Sequence, residues 1–339
     1  MLSNEGRENR GWLKMPFSRI SPEIIEVTNM KYQKHYYEGE NIGLQYYEIQ
    51  NERKPLVLLH AQAVDSTSFF GVMHKLAKYF HVYAVDYYGH GGSLHDDARY
   101  NVADLGNAVI DFLQNVVGEP VCLLGHSSGG LIAAYVASHS DLCGNLVLED
   151  PPFFSCQGER RKNSFNYVDL STVCHEFLNQ SEETDFVLYY FSHQRVWEFF
   201  PEKSREKVRP KLIASAAKYR KKHPDKNLRV PFWPKSGLAA YQGMNNYDPR
   251  FGEAFYTDRF HAGIPHEDLQ RGIRCKTLFL KAKTEIGQDG LLLAALGEDD
   301  LQRVMELIPE CTLVRFDCGH AIHIEKPKEF VKAVLEVLR

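Results

Sequence analysis

The segment that decides the fold is Val121-Cys122-Leu123-Leu124-Gly125-His126-Ser127-Ser128-Gly129-Gly130-Leu131-Ile132-Ala133-Ala134-Tyr135. An apolar run of strand length leads into Gly-His-Ser-Ser-Gly, and small, helix-compatible residues follow. A G-x-S-x-G sequence between a strand and a helix is typical of a nucleophile elbow. We expect Gly125 and Gly129 to pass close to neighbouring backbone, and Ser127 to adopt a strained conformation. The Ser127 hydroxyl would then lie beside a helix N-terminus, which suits a developing oxyanion.

Composition places this 339-residue chain among globular proteins with a sizeable core, since 44% of its residues are hydrophobic and 25% are charged. The net charge is −4, and the short basic runs 160–162 and 220–222 are interpreted as solvated surface. No dense basic stripe is evident in the linear sequence, so no nucleic-acid partner is expected. No apolar run approaches the ~20 residues that span a bilayer, so no membrane partner is expected either.

The cysteines and the N-terminus indicate a cellular compartment. Seven cysteines are scattered along the chain without a C-x-x-C spacing, a pattern typical of reduced thiols. The first ten residues lack the apolar segment of a signal peptide. The sequence therefore predicts a cytoplasmic protein.

Apolar runs of strand length alternate with helical patterns along most of the chain. A hairpin pattern over 31–50 precedes buried strands at 55–60, 81–86, 121–126 and 145–149. The alternation breaks at Phe153, gives way to aromatic, helix-like segments, and resumes at Thr277. We therefore predict an N-terminal extension (1–30), a core formed by 31–152 and 273–339, and an inserted helical cap (153–272).

Four motifs arrive in an order that resembles the α/β-hydrolase superfamily. They are His60-Ala61-Gln62 after a buried strand, the loop Asp86…Gly89-His90-Gly91-Gly92-Ser93, the elbow Gly125–Gly129, and Gly319-His320 before the last helix. The resemblance implies an α/β fold with a mostly parallel, doubly wound, eight-stranded sheet and an inserted helical cap.

A serine hydroxyl needs a base to become a nucleophile, and histidine suits that task at neutral pH. The resemblance implies the chain order serine, acid, histidine. Ser127 is then the nucleophile and His320 the base, because His320 follows the last predicted strand by a short glycine turn. His323, three residues further on, is expected to support the loop.

The acid that would orient His320 has two candidates. One is Glu285, beyond the strand Thr277–Leu280, with Asp289 as a weaker choice, although Lys283 stands where some relatives place the acid. The other is Glu149, at the end of the strand after the elbow helix, which we rank slightly ahead. The adjacent Asp150 is expected to point to the other side of an extended chain and to tie down the loop.

The resemblance implies an oxyanion hole formed by the main-chain N–H groups of Ser128 and Gln62. Ala61 stands where the family usually has glycine. The side-chain amide of Gln62 is a further candidate donor. His60 is expected to order the loop.

The remaining motifs exclude other chemistry. The Gly-His-Gly-Gly at 89–92 matches neither a dinucleotide-binding nor a P-loop pattern, so no cofactor is expected. The His320/His323 spacing is better explained by the triad than by a metal, and no metal is expected. Aromatic residues of the cap, such as Trp197, Trp233 and Tyr247, are expected to form its core and in part to line an apolar pocket.

The sequence thus predicts a serine hydrolase, esterase- or lactonase-like, that cleaves an ester, lactone, thioester or amide of a small, partly apolar substrate through an acyl-enzyme. Two alternatives stay open: a non-catalytic small-ligand-binding protein of the same fold, and a carbon–carbon bond hydrolase. A small molecule is the expected partner, and a homodimer is compatible with the sequence.

Overall fold

The computed structural model describes residues 32–338 except 234–237 and 239. The predicted N-terminal extension (1–30) lies outside the described residues. Within them, the chain forms an eight-stranded sheet with helices on both faces.

The sheet is mostly parallel, as predicted. Its strands are β1 (Gln33–Gly39), β2 (Ile42–Ile49), β3 (Pro55–Leu59), β4 (His81–Val85), β5 (Val121–His126), β6 (Cys143–Glu149), β7 (Lys276–Lys281) and β8 (Cys311–Arg315). Their order across the sheet is β1-β2-β4-β3-β5-β6-β7-β8. Only the β1–β2 and β2–β4 pairs are antiparallel. Parallel strands end at one edge, so the carboxyl ends of β3, β5 and β6 lie side by side there.

Helices cover both faces of the sheet, and others lie in the segment between β6 and β7. They are α1 (Phe70–Leu76), α2 (Val102–Phe112), α3 (Ser128–His139), α4 (Thr172–Leu178), α5 (Phe186–His193), α6 (Glu202–Lys222), α7 (Pro249–Tyr256), α8 (His266–Gly272), α9 (Glu298–Leu307), α10 (Ile322–Glu325) and α11 (Pro327–Leu338). Successive side chains of a strand point to opposite faces. Accordingly Val57 and Leu59 of β3 pack in the cluster that contains α2 and α3, whereas Leu56 and Leu58 pack with α1 and α11. The predicted double winding is confirmed.

The described residues of the segment between β6 and β7 contribute α4 to α8 and no strand of the sheet. We call residues 153–272 the inserted segment. Its aromatic centre includes Trp197, whose ring centroid lies 5.3 Å from that of Phe191 and 5.0 Å from that of Trp233. The segment is fixed to the sheet domain where Asp248 accepts a hydrogen bond from the Tyr100 hydroxyl at 2.7 Å and donates its N–H to the carbonyl of Gly89 at 2.8 Å.

The structure also bears on the expectations about thiols and membrane spans. All seven cysteines are free thiols, although the sulfur atoms of Cys143 and Cys275 are only 3.8 Å apart. Among the residues described, we find no helix with both the length and the apolar character that crossing a bilayer requires.

The two glycines of the elbow are required by close backbone contacts. A Cβ atom on Gly125 would lie 2.2 Å from the carbonyl oxygen of Gly129. A Cβ atom on Gly129 would lie 2.4 Å from the carbonyl oxygens of both Leu59 and His60. Backbone atoms cannot move aside as a flexible side chain can, so the predicted steric role of both glycines is confirmed.

We predict that Gly129→Ala destabilises the protein by more than about 2 kcal/mol, because the added methyl group collides with two carbonyl groups at the end of β3. Gly71→Ala is the matched control. Gly71 lies in α1, and its Cβ atom would meet no atom within 4 Å. Alanine there is expected to stabilise by up to about 1 kcal/mol. Urea unfolding of both variants measures the difference, and equal stabilities would contradict the steric argument.

Candidate active site

Ser127 lies at the turn between β5 and α3. Its backbone angles are φ 55° and ψ −119°, a conformation that L-residues rarely adopt. Such a conformation costs on the order of 1–3 kcal/mol and persists only where its surroundings enforce it. Here the N–H of Ser127 donates to the carbonyl of Glu149 at 2.9 Å, and its own carbonyl accepts from the N–H of Gly130 at 2.8 Å. The predicted strained elbow is therefore observed.

His320 lies beside this elbow. Its ring centroid is 4.7 Å from that of His126, the residue before Ser127, and its carbonyl accepts a hydrogen bond from His126 Nε2 at 3.0 Å. The side chain of His320 is 41% exposed. The structure thus brings the two residues predicted as nucleophile and base to the same edge of the sheet.

The carboxylate bonded to His320 belongs to Asp150. Asp150 Oδ2 accepts a hydrogen bond from His320 Nδ1 at 2.8 Å, and its side chain is 1% exposed. The other oxygen, Oδ1, accepts the N–H of Ala282 at 3.2 Å and lies 3.4 Å from Nζ of the buried Lys281. A carboxylate held at Nδ1 keeps the proton on that nitrogen and leaves Nε2 as the basic atom.

The predicted pairing of Glu149 or Glu285 with His320 is therefore wrong. Strand β6 ends at Glu149, and Asp150 adopts φ 45°, so the chain turns at that residue. The rule that successive side chains alternate holds only while the chain stays extended. Because of this turn, Asp150 reaches His320, which the alternation rule pairs with Glu149. The sequence feature that points to Asp150 is a carboxylate directly after a buried strand and before Pro151, where the β structure ends.

Glu149 instead binds the second histidine of the same loop. Its Oε1 accepts the main-chain N–H and the Nδ1–H of His323, both at 2.9 Å. Both side chains are almost fully buried. Since His126 Nε2 donates to the His320 carbonyl, the backbone on both sides of residue 321 is fixed by buried groups. Glu149, His126 and His323 are thus positioned to support the His320 loop, as expected for His323.

Glu285 pairs elsewhere. Its carboxylate is 2.9 Å from Nζ of Lys283, on the partly exposed segment after β7. Lys283, which stands where some relatives place the acid, is therefore the salt-bridge partner of Glu285.

The two predicted oxyanion donors lie on adjacent parallel strand ends. Ser128 begins α3 at the end of β5, and Gln62 follows β3, the neighbouring strand. In the described part of the chain, neither main-chain N–H donates a hydrogen bond to a protein acceptor. The side-chain amide of Gln62 donates to the hydroxyl of Tyr247 at 2.8 Å and so joins the loop to the inserted segment.

The loop that carries Gln62 is supported by His90. The N–H of Ala63, at φ 64°, donates to His90 Nε2 at 3.1 Å, and His90 Nδ1 donates to the Tyr88 carbonyl at 3.1 Å. Both bonds require the neutral Nδ1–H tautomer, and burial lowers the pKa of His90 well below its ordinary value. His60 adds a bond from Nδ1 to the Ala61 carbonyl at 2.8 Å. The predicted loop-ordering role of His60 agrees with this contact, whereas the role of His90 was missed.

Two buried clusters offer metal-ligand atoms, and most of these atoms are engaged in hydrogen bonds. In the first, His126, Glu149 and His323 form the support described above, with His126 Nδ1 and His323 Nε2 unpartnered among the described residues. In the second, the N–H of Phe154 donates to His266 Nδ1, His266 Nε2 to His261 Nδ1, and His261 Nε2 to the Cys156 carbonyl. Every ring nitrogen of this second cluster is engaged, so it joins the two ends of the inserted segment.

The family follows from comparison with known proteins. The alpha/beta hydrolase family model matches residues 56–333. The chain belongs to the α/β-hydrolase family. This assignment covers both the elbow and His320, and the sheet order above agrees with it.

Individual relatives match shorter parts of the chain. An uncharacterized protein of Mycobacterium tuberculosis is 37% identical over 103 residues, 30% of this chain and 30% of that protein. An (E)-2-((N-methylformamido)methylene)succinate hydrolase of Acinetobacter baylyi is 33% identical over 152 residues, 42% of this chain and 57% of that protein. The enol-lactonase of Burkholderia xenovorans shares the fold, with a TM-score of 0.61 at 16% identity over 90% of this chain and 99% of that one. The chain matches less than two thirds of the length of the Mycobacterium and Acinetobacter relatives.

We predict that Asp150→Asn lowers the rate of p-nitrophenyl acetate hydrolysis by roughly three to four orders of magnitude, because the amide no longer holds the reactive tautomer of His320. Glu285→Gln is the matched control, and its rate is expected to stay within about threefold of wild type. Glu149→Gln removes one partner of a buried pair and is expected to lower the free energy of unfolding by about 3 kcal/mol. Loss of activity in Glu285→Gln with full activity in Asp150→Asn would contradict the observed pairing.

A second prediction concerns pH. Burial lowers the pKa of His126 to about 3, against an ordinary value of 6.5. Between these values the unfolded chain binds a proton that the folded protein does not, so the free energy of unfolding falls as the pH is lowered below 6.5. The slope is about 1.4 kcal/mol per pH unit for each such histidine. Chemical denaturation from neutral to acidic pH measures it, and His126→Gln is expected to flatten the curve; an unchanged slope would contradict the assignment.

Proposed function

We propose that the protein is a serine hydrolase that cleaves the acyl bond of a small carboxylic ester, lactone, thioester or amide through an acyl-enzyme. The observation that carries the proposal is the hydrogen bond from His320 Nδ1 to the buried Asp150, made beside a serine whose backbone is held in the elbow conformation. Burial of the acid with partial exposure of the histidine is the arrangement that a general base facing a substrate needs.

The proposed reaction runs in two halves. Ser127 Oγ attacks the carbonyl carbon while His320 Nε2 takes the hydroxyl proton, and the main-chain N–H groups of Ser128 and Gln62 stabilise the oxyanion. The tetrahedral intermediate collapses, the bond to the leaving oxygen, sulfur or nitrogen breaks, and His320 delivers the proton to it. Water then attacks the acyl-enzyme, activated by the same imidazole, and releases the acid and Ser127. Asp150 stays ionised throughout and stabilises the imidazolium.

Two observations support the proposed substrate class. The Tyr247 hydroxyl contacts Gln62, so the aromatic inserted segment reaches the oxyanion loop and serves as the cap in this proposal. The Acinetobacter relative is named for a substrate that contains an amide, and the Burkholderia neighbour for an enol-lactone. Both names describe acyl bonds in small molecules.

The alternative of a non-catalytic binding protein loses its main support. Two features favour that alternative, Lys283 at an expected position of the acid and Ala61 in the oxyanion loop. The hydrogen bond between Asp150 and His320 removes the first of them. A carbon–carbon bond hydrolase would use the same residues, and the products distinguish it from an esterase. We propose the cytoplasm as the location, since all seven cysteines are free thiols.

We predict that a fluorophosphonate probe labels the wild-type protein and fails to label Ser127→Ala. The same change is expected to lower p-nitrophenyl acetate hydrolysis by at least about four orders of magnitude, because the nucleophile is lost.

The matched control is the neighbouring serine. The Ser128 hydroxyl is buried and 2.9 Å from the Tyr87 hydroxyl, whereas its proposed role uses only the main-chain N–H, which alanine keeps. Ser128→Ala is therefore expected to be labelled. An unlabelled wild-type protein with intact fold would overturn the proposed hydrolysis.

A further inference from the structure

Helix α6 of the inserted segment carries an unusual concentration of lysine. Its 21 residues include nine basic and two acidic side chains, a net charge of +7. Since the whole chain carries −4, the remaining residues carry −11. Helix α6 is therefore strongly basic, whereas the rest of the protein carries a net negative charge.

The six lysines of α6 share one face. At about 100° per residue they fall within an arc of about 100° of an ideal helix. They are Lys203, Lys207, Lys211, Lys218, Lys221 and Lys222, and all six are exposed. We call this set the lysine face. From its first to its last lysine it is roughly 28 Å long.

The opposite face of α6 is the one that packs on the protein. Ala216 is fully buried, and Arg220 is 7% exposed and bound to Asp185 through Nε at 2.6 Å. Arg209 donates to the Ser192 carbonyl at 2.7 Å. The arginines at 209 and 220 are thus used to attach the helix, and the lysine face points away from the packed side.

The charge of the lysine face is not neutralised by ion pairs with the residues that the structure describes. Within the described part of the chain, none of its six lysines forms a salt bridge. The acidic residues of the helix, Glu202 and Glu206, lie outside the arc. Six unpaired like charges repel one another, and an anionic partner would relieve that repulsion.

We propose that the lysine face of α6 binds peripherally to the surface of an anionic lipid bilayer. Four to eight basic residues on one exposed helix face are typical of binding to anionic headgroups, and a straight row of flexible ammonium groups matches a plane of charges. The acidic remainder of the protein would orient the molecule with this helix towards the membrane. The inference is independent of the proposed hydrolysis.

Nucleic acid is a less suitable partner for this face. No aromatic residue lies within the arc, so bases would have no side chain to stack on. Two arginines of the helix, whose planar groups bind phosphate in a bidentate manner, are engaged in packing contacts on the opposite face. The linear sequence shows no dense basic stripe, because these lysines line up only when residues 202–222 are wound into a helix.

The test uses the full chain and co-sedimentation with phosphatidylcholine vesicles, with and without about one-third phosphatidylserine. The wild-type protein is expected to bind only the anionic vesicles and to dissociate at high salt. The variant Lys203→Gln, Lys207→Gln, Lys211→Gln and Lys218→Gln is expected to bind at least about 100-fold more weakly, at roughly fivefold per lysine. Glutamine has nearly the helix propensity of lysine, so α6 should be retained.

The matched control removes the same charge from scattered exposed lysines: Lys34→Gln, Lys54→Gln, Lys78→Gln and Lys276→Gln. It is expected to bind within about threefold of wild type, because the lysine face is intact. Absent or salt-independent binding of the wild-type protein, or equal loss in both variants, would overturn the proposal. Binding to a duplex oligonucleotide tighter than to anionic vesicles, abolished by the α6 variant, would assign the face to nucleic acid instead.

Discussion

The sheet edge that carries the candidate active site depends on the close approach of the elbow to the end of β3. Gly129 lies so near the carbonyls of Leu59 and His60 that no Cβ atom fits. That contact brings the first turn of α3 against the loop that carries Gln62. The two proposed oxyanion donors come from segments 66 residues apart in sequence, and this packing sets their separation. The lack of a side chain at Gly125 and Gly129 is therefore required for the geometry of the site.

A second constraint is the tandem of carboxylates after β6. Glu149 and Asp150 are consecutive, and each binds a different histidine of the loop at 320–323. Both carboxylates are buried, and the two hydrogen bonds hold the loop against the elbow. Burial alone would raise the pKa of Glu149, but the imidazoles of His323 and His126 and the hydrogen bonds from His323 bring it below its ordinary value. Glu149 thus remains a charged anchor beneath His320.

The parts of this structure that sequence reasoning predicted are those fixed by burial and by local sterics. The apolar run at 55–60 predicts a strand buried on both faces, and all five residues of β3 (Pro55–Leu59) are buried. The elbow glycines and Ser127 follow from the G-x-S-x-G motif between a strand and a helix, and His320 follows from the position that the resemblance implies for the base. Asp150 was missed because its assignment depends on a single backbone angle, which composition does not reveal. The lysine face was missed because Pro210 interrupts the helical pattern of α6, so the periodicity of its lysines was not evident.

The two histidines of the loop show why residue type alone does not define a catalytic base. His320 and His323 both bind a buried carboxylate through Nδ1 at 2.8–2.9 Å. Their side chains differ in exposure, 41% against 1%. An imidazole that exchanges a proton with a substrate must have one nitrogen outside the packed core, and His320 meets that condition. His323 has a buried Nε2 with no hydrogen-bond partner among the described residues, which suits a supporting role in the loop. Side-chain exposure therefore distinguishes His320, the proposed base, from His323, which supports the loop.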